Sequence, residues 1–220
     1  TPPGPELEQV IRSQGLPYVA FDAVPAPGRI TVMTNEVRAA ELAVEHLVEL
    51  GHHRIAYIAL DAGPPLAHAF TCPRHEGFPR GYAQAMSRAD LKLMPGWDER
   101  LEIGEDLERL WKSPDPPTAL ICYDDQSCVF AGNWLDQRGL AVPKDVSLVA
   151  LLDTGFAETC NGHAHFMPRL TCKVEMHRAM ADVAVELIHN LVESDEDAAA
   201  DSVVLEPTLV VRDSSGPCRQ

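Results

Sequence analysis

Three carboxylates stand where a parallel sheet would present them to a ligand. Asp124 and Asp125 follow the apolar run Thr118–Tyr123, and Asp153 follows the run Val146–Leu152. Open α/β sheets bind ligands outside the carboxyl ends of their strands, and a carboxylate there can accept charge-assisted hydrogen bonds from several ligand hydroxyls. Asp125 is also placed to cap the helix that follows, through first-turn N–H groups. Asp124 is then the residue expected to face a ligand. Arg74, between Pro73 and His75, has the planar fork of a bidentate clamp; the competing reading is a solvated loop charge. Trp97, in a Pro-Gly-Trp-Asp context, offers a flat face to the C–H groups of a sugar ring. Trp111 and Trp134 sit in helical patterns and read as core.

Metal chemistry is the second class to weigh. Cys72 and His75 form a Cys-x-x-His, and Cys160, His163 and His165 form a Cys-x-x-His-x-His. Thiolate and imidazole at such spacings suit zinc, yet short ligand pairs arise often by chance. An organic ligand, with no metal and no cofactor, is therefore the expectation. Gly-x-Gly-x-x-Gly, Walker, Gly-x-Ser-x-Gly and His-Glu-x-x-His patterns do not occur, which lowers the expectation of catalysis.

The elements that must position these groups alternate between strand and helix. Extended runs are expected at Pro17–Phe21 and Arg29–Thr34. A helix follows over Val37–Leu50, where Ala40, Ala43, Val44 and Leu47 recur at helical spacing between Asn35 as a cap and Gly51 as a left-handed stop. Glu41, Glu45 and Glu49 read as its solvated face. Arg54–Leu60 is a strand, Asp61–Arg80 a long loop, Gly81–Ala89 a short helix and Leu101–Ile103 a brief strand. Leu107, Leu110 and Trp111 mark a helix, Thr118–Tyr123 a strand, Gln126–Arg138 a helix and Val146–Leu152 a strand. The order predicts an α/β protein with a parallel sheet covered on both faces. After an irregular stretch come a strand at Leu170–Val174 and the longest helix, with Met180, Val183, Ala184, Leu187, Ile188 and Leu191 on one stripe. Val203–Arg212 is extended, with Pro207 marking a bend or a sheet edge.

The chain has 220 residues, 33 acidic against 18 basic, and a net charge of −15. So negative a surface repels phosphate and argues against direct contact with nucleic acid or an anionic membrane. No apolar run nears the roughly 20 residues that span a bilayer. None of the six cysteines forms a Cys-x-x-Cys pair, and Cys122 and Cys128 lie in apolar runs, so a reducing, cytoplasmic setting is expected. A first residue of Thr1 reads as a fragment or a processed product.

Three stretches in fixed order carry a family resemblance. The first is Ala40-Glu41-Leu42-Ala43-Val44-Glu45-His46-Leu47-Val48-Glu49-Leu50-Gly51-His52, running into Arg54-Ile55-Ala56-Tyr57-Ile58. The second is Pro117-Thr118-Ala119-Leu120 leading to Asp124-Asp125, and the third is Gly139-Leu140-Ala141-Val142-Pro143-Lys144-Asp145-Val146-Ser147-Leu148-Val149. With the ending Glu206-Pro207-Thr208-Leu209-Val210-Val211-Arg212-Asp213-Ser214, the chain resembles the effector-binding domain of LacI/GalR-type bacterial transcription regulators.

That resemblance implies a periplasmic-binding-protein-like fold of two doubly wound lobes with a ligand cleft, the first lobe incomplete here. On that template residues 1–33 are part of the first lobe and 34–156 the second. Residues 157–202 cross a hinge and return to the first, and 203–220 make the final crossing, with the last strand of the second lobe and a tail. It implies a small-molecule effector, a sugar or sugar derivative, and a homodimer. Operator DNA is bound only by a domain outside this chain, and effector binding shifts a conformational population. By resemblance Asp22 is a pocket-edge carboxylate and Asp124 an effector contact. Gly81-Tyr82 matches the family's Gly-aromatic, with Phe78 where an Arg is usual, and Arg74-x-x-Gly77-Phe78 repeats the pattern earlier. The family's paired aspartates after the Val146 strand become Leu152-Asp153. The expected ligand residues are thus Asp22, Arg74, His75, Phe78, Trp97, Asp124 and Asp153. A periplasmic-type sugar-binding protein and a metal sensor built on the Cys/His set are the alternatives.

Overall fold

The computed structural model describes residues 5–23, 25–58, 73–95, 103–155, 169–173, 176–193 and 201–219. The chain divides into two units. Unit 1 comprises Thr1–Asn35, Pro64–Glu76 and Met176–Pro207, and unit 2 comprises Glu36–Gly63, Gly77–Glu175 and Thr208–Gln220.

Strands β3 (Ile55–Ile58), β4 (Ala119–Cys122) and β5 (Ser147–Ala150) of unit 2 are buried at every position. Continuous burial of this kind follows when both faces of a parallel sheet are covered. With β6 (Thr171–Lys173) and β8 (Leu209–Val210), they form a sheet in the order β3-β4-β5-β6-β8, parallel except for β8. Alternate side chains feed two cores, because successive residues of a strand point to opposite faces. On one face Ile55, Tyr57, Ile121 and Val149 pack with Ala40, Ala43 and Leu47 of α2 (Glu36–Glu49) and with Phe78, Tyr82 and Met86 of α3 (Pro73–Arg88). On the other, Ile58, Leu120, Leu148 and Cys172 pack with Leu107 and Leu110 of α4 (Ile103–Trp111) and with Ala131, Trp134 and Leu135 of α5 (Asp125–Asp136). Trp111 and Trp134 pack on that face with ring centroids 5.1 Å apart and planes tilted by 58°, as their helical setting predicts.

Unit 1 holds a parallel sheet in the order β1-β2-β7, from β1 (Ala20–Phe21), β2 (Thr31–Thr34) and β7 (Val203–Leu205). Helix α6 (His177–Glu193) reaches it through Met180, whose sulfur takes the Thr34 hydroxyl at 3.7 Å. Helix α1 (Pro5–Ser13) is fastened by Glu8, whose carboxylate accepts hydrogen bonds from Arg12, Tyr18 and Arg29. These three donors, Arg29 first, hold the Glu8 carboxyl down at about 2.

Some expectations need correction. Helix α3 begins at Pro73, within the segment read as a loop to Arg80, and it contains Pro79. The brief strand expected at Leu101–Ile103 does not include Ile103, which opens α4; residues 101 and 102 lie outside the described residues. The extended segment Val203–Arg212 is split at Pro207 into β7, paired with β2, and β8, paired with β6.

Candidate functional site

In unit 1, Asp22 follows β1 directly and takes a left-handed backbone conformation with φ 53°. Left-handed φ is uncommon for a non-glycine residue, and aspartate is among those that tolerate it. The turn aims the side chain at α3, where Arg74 Nη1 donates to Asp22 Oδ2. Arg74 is 8% exposed, so this charge pair is largely dry. Asp22 Oδ1 is buried and has no hydrogen-bond donor among the described residues. A buried acceptor left unmatched costs free energy comparable to a lost hydrogen bond, and an incoming hydroxyl or amine would recover it. The structure thus brings together two of the expected ligand residues, 52 positions apart in sequence.

The carboxylates of unit 2 serve the chain itself. Asp124, not Asp125, is the N-cap of α5: its Oδ1 accepts from the Ser127 amide at 2.7 Å and the Ser127 hydroxyl at 2.5 Å. The extended backbone at Asp124 (φ −142°) allows this, whereas Asp125 is already helical and takes the Thr154 hydroxyl at 2.6 Å. Asp153 Oδ1 accepts from the Gly155 amide at 3.1 Å, and its Oδ2 accepts from the Cys172 thiol at 3.3 Å. Phe78, expected near a ligand, is a core residue instead. Its ring is fully buried, edge-on to Tyr123 at 5.4 Å.

Trp97 and the potential metal ligands Cys72, Cys160, His163 and His165 lie outside the described residues, as does the side chain of His75. Among the described residues no group of three or more His, Cys, Asp or Glu could hold a metal ion. Two of the described cysteines, Cys172 and Cys128, are poor thiolates. Burial and the Asp153 carboxylate push Cys172 up to about 11, and burial with the neighbouring Cys122 raises Cys128 well above the usual thiol range.

A network absent from the sequence reading ties the C-terminal segment to unit 2. His52 is buried, and its Nε2–H donates to the Gly216 carbonyl at 3.0 Å while Nδ1 takes the Thr118 hydroxyl at 2.9 Å. A carbonyl only accepts, so Nε2 carries a proton, and burial favours the neutral ring. His46 Nε2 bonds Ser215 at 2.8 Å, and Ser214 bridges the Thr171 amide and the Leu148 carbonyl. Burial lowers the pKa of both histidines. Two surface hollows in unit 2, about 650 and 280 Å³, are lined by Gly104, Glu108, Lys112 and Trp134, and by Gly51, His53, Arg54 and Cys218, among others. Neither includes an expected ligand residue.

Comparison with known proteins places this arrangement. Residues 44–215 match the family described as periplasmic binding protein-like domain. The HTH-type transcriptional repressor PurR of Aliivibrio salmonicida is 28% identical over 190 residues, covering 83% of this chain and 52% of the relative. The chain spans about half the length of that relative. A LacI transcriptional regulator from a Rhodococcus species superposes with a TM-score of 0.69 at 27% identity, over 96% of this chain and 74% of that one. A LacI-family regulator from Enterococcus faecium, solved with bound ribose, shares the fold with a TM-score of 0.73 at 18% identity, over 97% and 75% of the two chains. The chain therefore belongs to the periplasmic binding protein-like domain family.

Proposed function

We propose that this chain is the effector-sensing core of a LacI-type transcriptional regulator and that its effector is a polyhydroxylated small molecule, a sugar or sugar derivative. The observation that carries the reading is Asp22: one oxygen anchored by Arg74, the other a buried acceptor with no donor among the described residues. Asp22 and Arg74 side by side present an acceptor and a charged donor, the combination a sugar hydroxyl matches because it both gives and takes a hydrogen bond. The likeness in fold to a regulator solved with ribose supports this class.

Function on this reading is equilibrium binding. An effector that prefers one conformation of the protein draws the population toward it, and an attached DNA-binding segment reads the change. The net charge of −15 argues against operator contact by this chain itself. The reading includes a homodimer, a cytoplasmic location and no catalytic step. The matched relatives are transcriptional repressors by name, and no helix of the described residues is long and apolar enough to cross a membrane.

The test is a thermal-unfolding panel of pentoses, hexoses, sugar acids and purines. A ligand at 100 times its Kd adds about 2.7 kcal/mol. A saturable rise in Tm with one polyhydroxylated class, lost in Asp22→Asn, is the expected result. No shift across the panel, or an equal shift in Asp22→Asn, overturns the assignment.

A further inference from the structure

Lys173, the last residue of β6, is 1% exposed and lies on an interior strand of the sheet, between β5 and β8. Its ammonium sits 3.0 and 3.3 Å from the two oxygens of Glu36, and both side chains are only 2% exposed. The contact closes a sequence gap of 137 residues. Taking two ions out of water costs about as much as their attraction returns, so a pair this deep is weak evidence for stability and calls for another role.

The residues around the pair suggest that role. Glu36 is the first residue of unit 2 after Asn35, and Gly77 is the first after Glu76. A β-carbon on Gly77 would lie 2.8 Å from Glu36 Cβ, so the two segments touch at backbone distance. Phe78 places its ring 5.6 Å from the Lys173 ammonium, within reach of cation–π attraction. Lys173 lies two residues before the end of a unit-2 segment at Glu175, and across the sheet it registers with Leu209, the second residue of the segment that begins at Thr208. Four of the places where the chain changes unit are therefore rooted on one ion pair.

We propose that Glu36 and Lys173 are positioning residues that clasp these four chain segments together, so that they leave unit 2 as one mechanical group. The clasp fixes where each segment starts, and its loss frees all four at once. It stands whether or not the chain binds a sugar.

Native-state hydrogen exchange of the unmodified chain in low urea tests this. Amides at Ala40, Phe78, Lys173 and Val210 are expected to share one opening step, below global unfolding and with a single urea dependence. Independent opening of these amides, or opening only by global unfolding, overturns the proposal. The paired variant Glu36→Gln/Lys173→Met removes both charges and avoids stranding either one. It is expected to keep a Tm near that of the parent while exchange at all four segments rises roughly tenfold or more. Lys173→Arg, which keeps the charge, should restore part of the protection. Parent-like exchange in the paired variant, or a rise confined to the substituted segments, shows a merely structural pair and refutes the clasp.

Discussion

Asp22 and Arg74 meet through a single carboxylate oxygen, and the second oxygen of Asp22 remains a buried acceptor without a donor among the described residues. Asn is also tolerated at left-handed φ, so Asp22→Asn retains the turn while removing the charge opposite Arg74. Effector affinity is expected to fall by about 1.5–3 kcal/mol, the usual worth of a hydrogen bond to a charged group. Titration calorimetry of parent and variant with the effector found in the unfolding panel measures it.

The His52 network makes stability depend on pH. Its folded pKa lies below the ordinary value of 6.5 because burial disfavours the charged ring, with His46 and His53 adding repulsion. As pH falls, the unfolded chain takes the proton first. The stabilisation is thus complete above about 6.5 and is lost as pH drops through the folded value. Urea midpoints measured between pH 7.5 and 5 should fall, at no more than about 1.4 kcal/mol per pH unit from this residue. His52→Gln should flatten that slope.

Glu8 titrates lower on the scale. Its folded value of about 2 lies under the ordinary 4.5, so its contribution is whole above about 4.5 and is lost as pH falls through about 2. Glu8→Gln keeps the shape but weakens the bonds from Arg29, Tyr18 and Arg12. A loss of about 2–3 kcal/mol is expected at pH 7. The gap between variant and parent should narrow as denaturation is repeated toward pH 3.

Gly81 and Gly139 should respond differently to the same substitution. A β-carbon on Gly81 would lie 2.1 Å from the Val37 carbonyl oxygen, whereas one on Gly139 meets nothing within 4 Å. Gly81→Ala forces α2 and α3 apart and is expected to cost about 3 kcal/mol. Gly139→Ala pays only for its left-handed backbone, φ 72°, about 1–2 kcal/mol. Chemical denaturation of the two variants side by side reads the contrast.

The sheet of unit 2 was legible because its physics is local. Arg54–Leu60, Thr118–Tyr123 and Val146–Leu152 are apolar runs, and burial on both faces requires such runs. Helix α3 was half hidden because Gly77, Pro79 and Gly81 look like loop punctuation. Both glycines are there so that α3 can approach the start of α2 at backbone distance, a demand that composition alone does not display. The candidate site was legible only in part. The resemblance singled out Asp22, and Pro-Arg-His drew attention to Arg74, but nothing in either segment signals that they meet. Asp124 and Asp153 were rightly placed at strand ends, yet their oxygens go to a helix cap and a loop amide. Glu36 with Lys173, and His52 with Gly216, are pairings across 137 and 164 residues. Periodicity carries no information at that range.

Strand β8 runs antiparallel to the others and is two residues long, entered just after Pro207. Open sheet edges invite strand addition from neighbouring molecules, and short edge strands beside a proline are among the devices that prevent it. On this side the sheet carries its own guard against aggregation. A version of the chain shortened before Thr208 would lay bare the backbone of β6, so it should precipitate rather than simply lose stability.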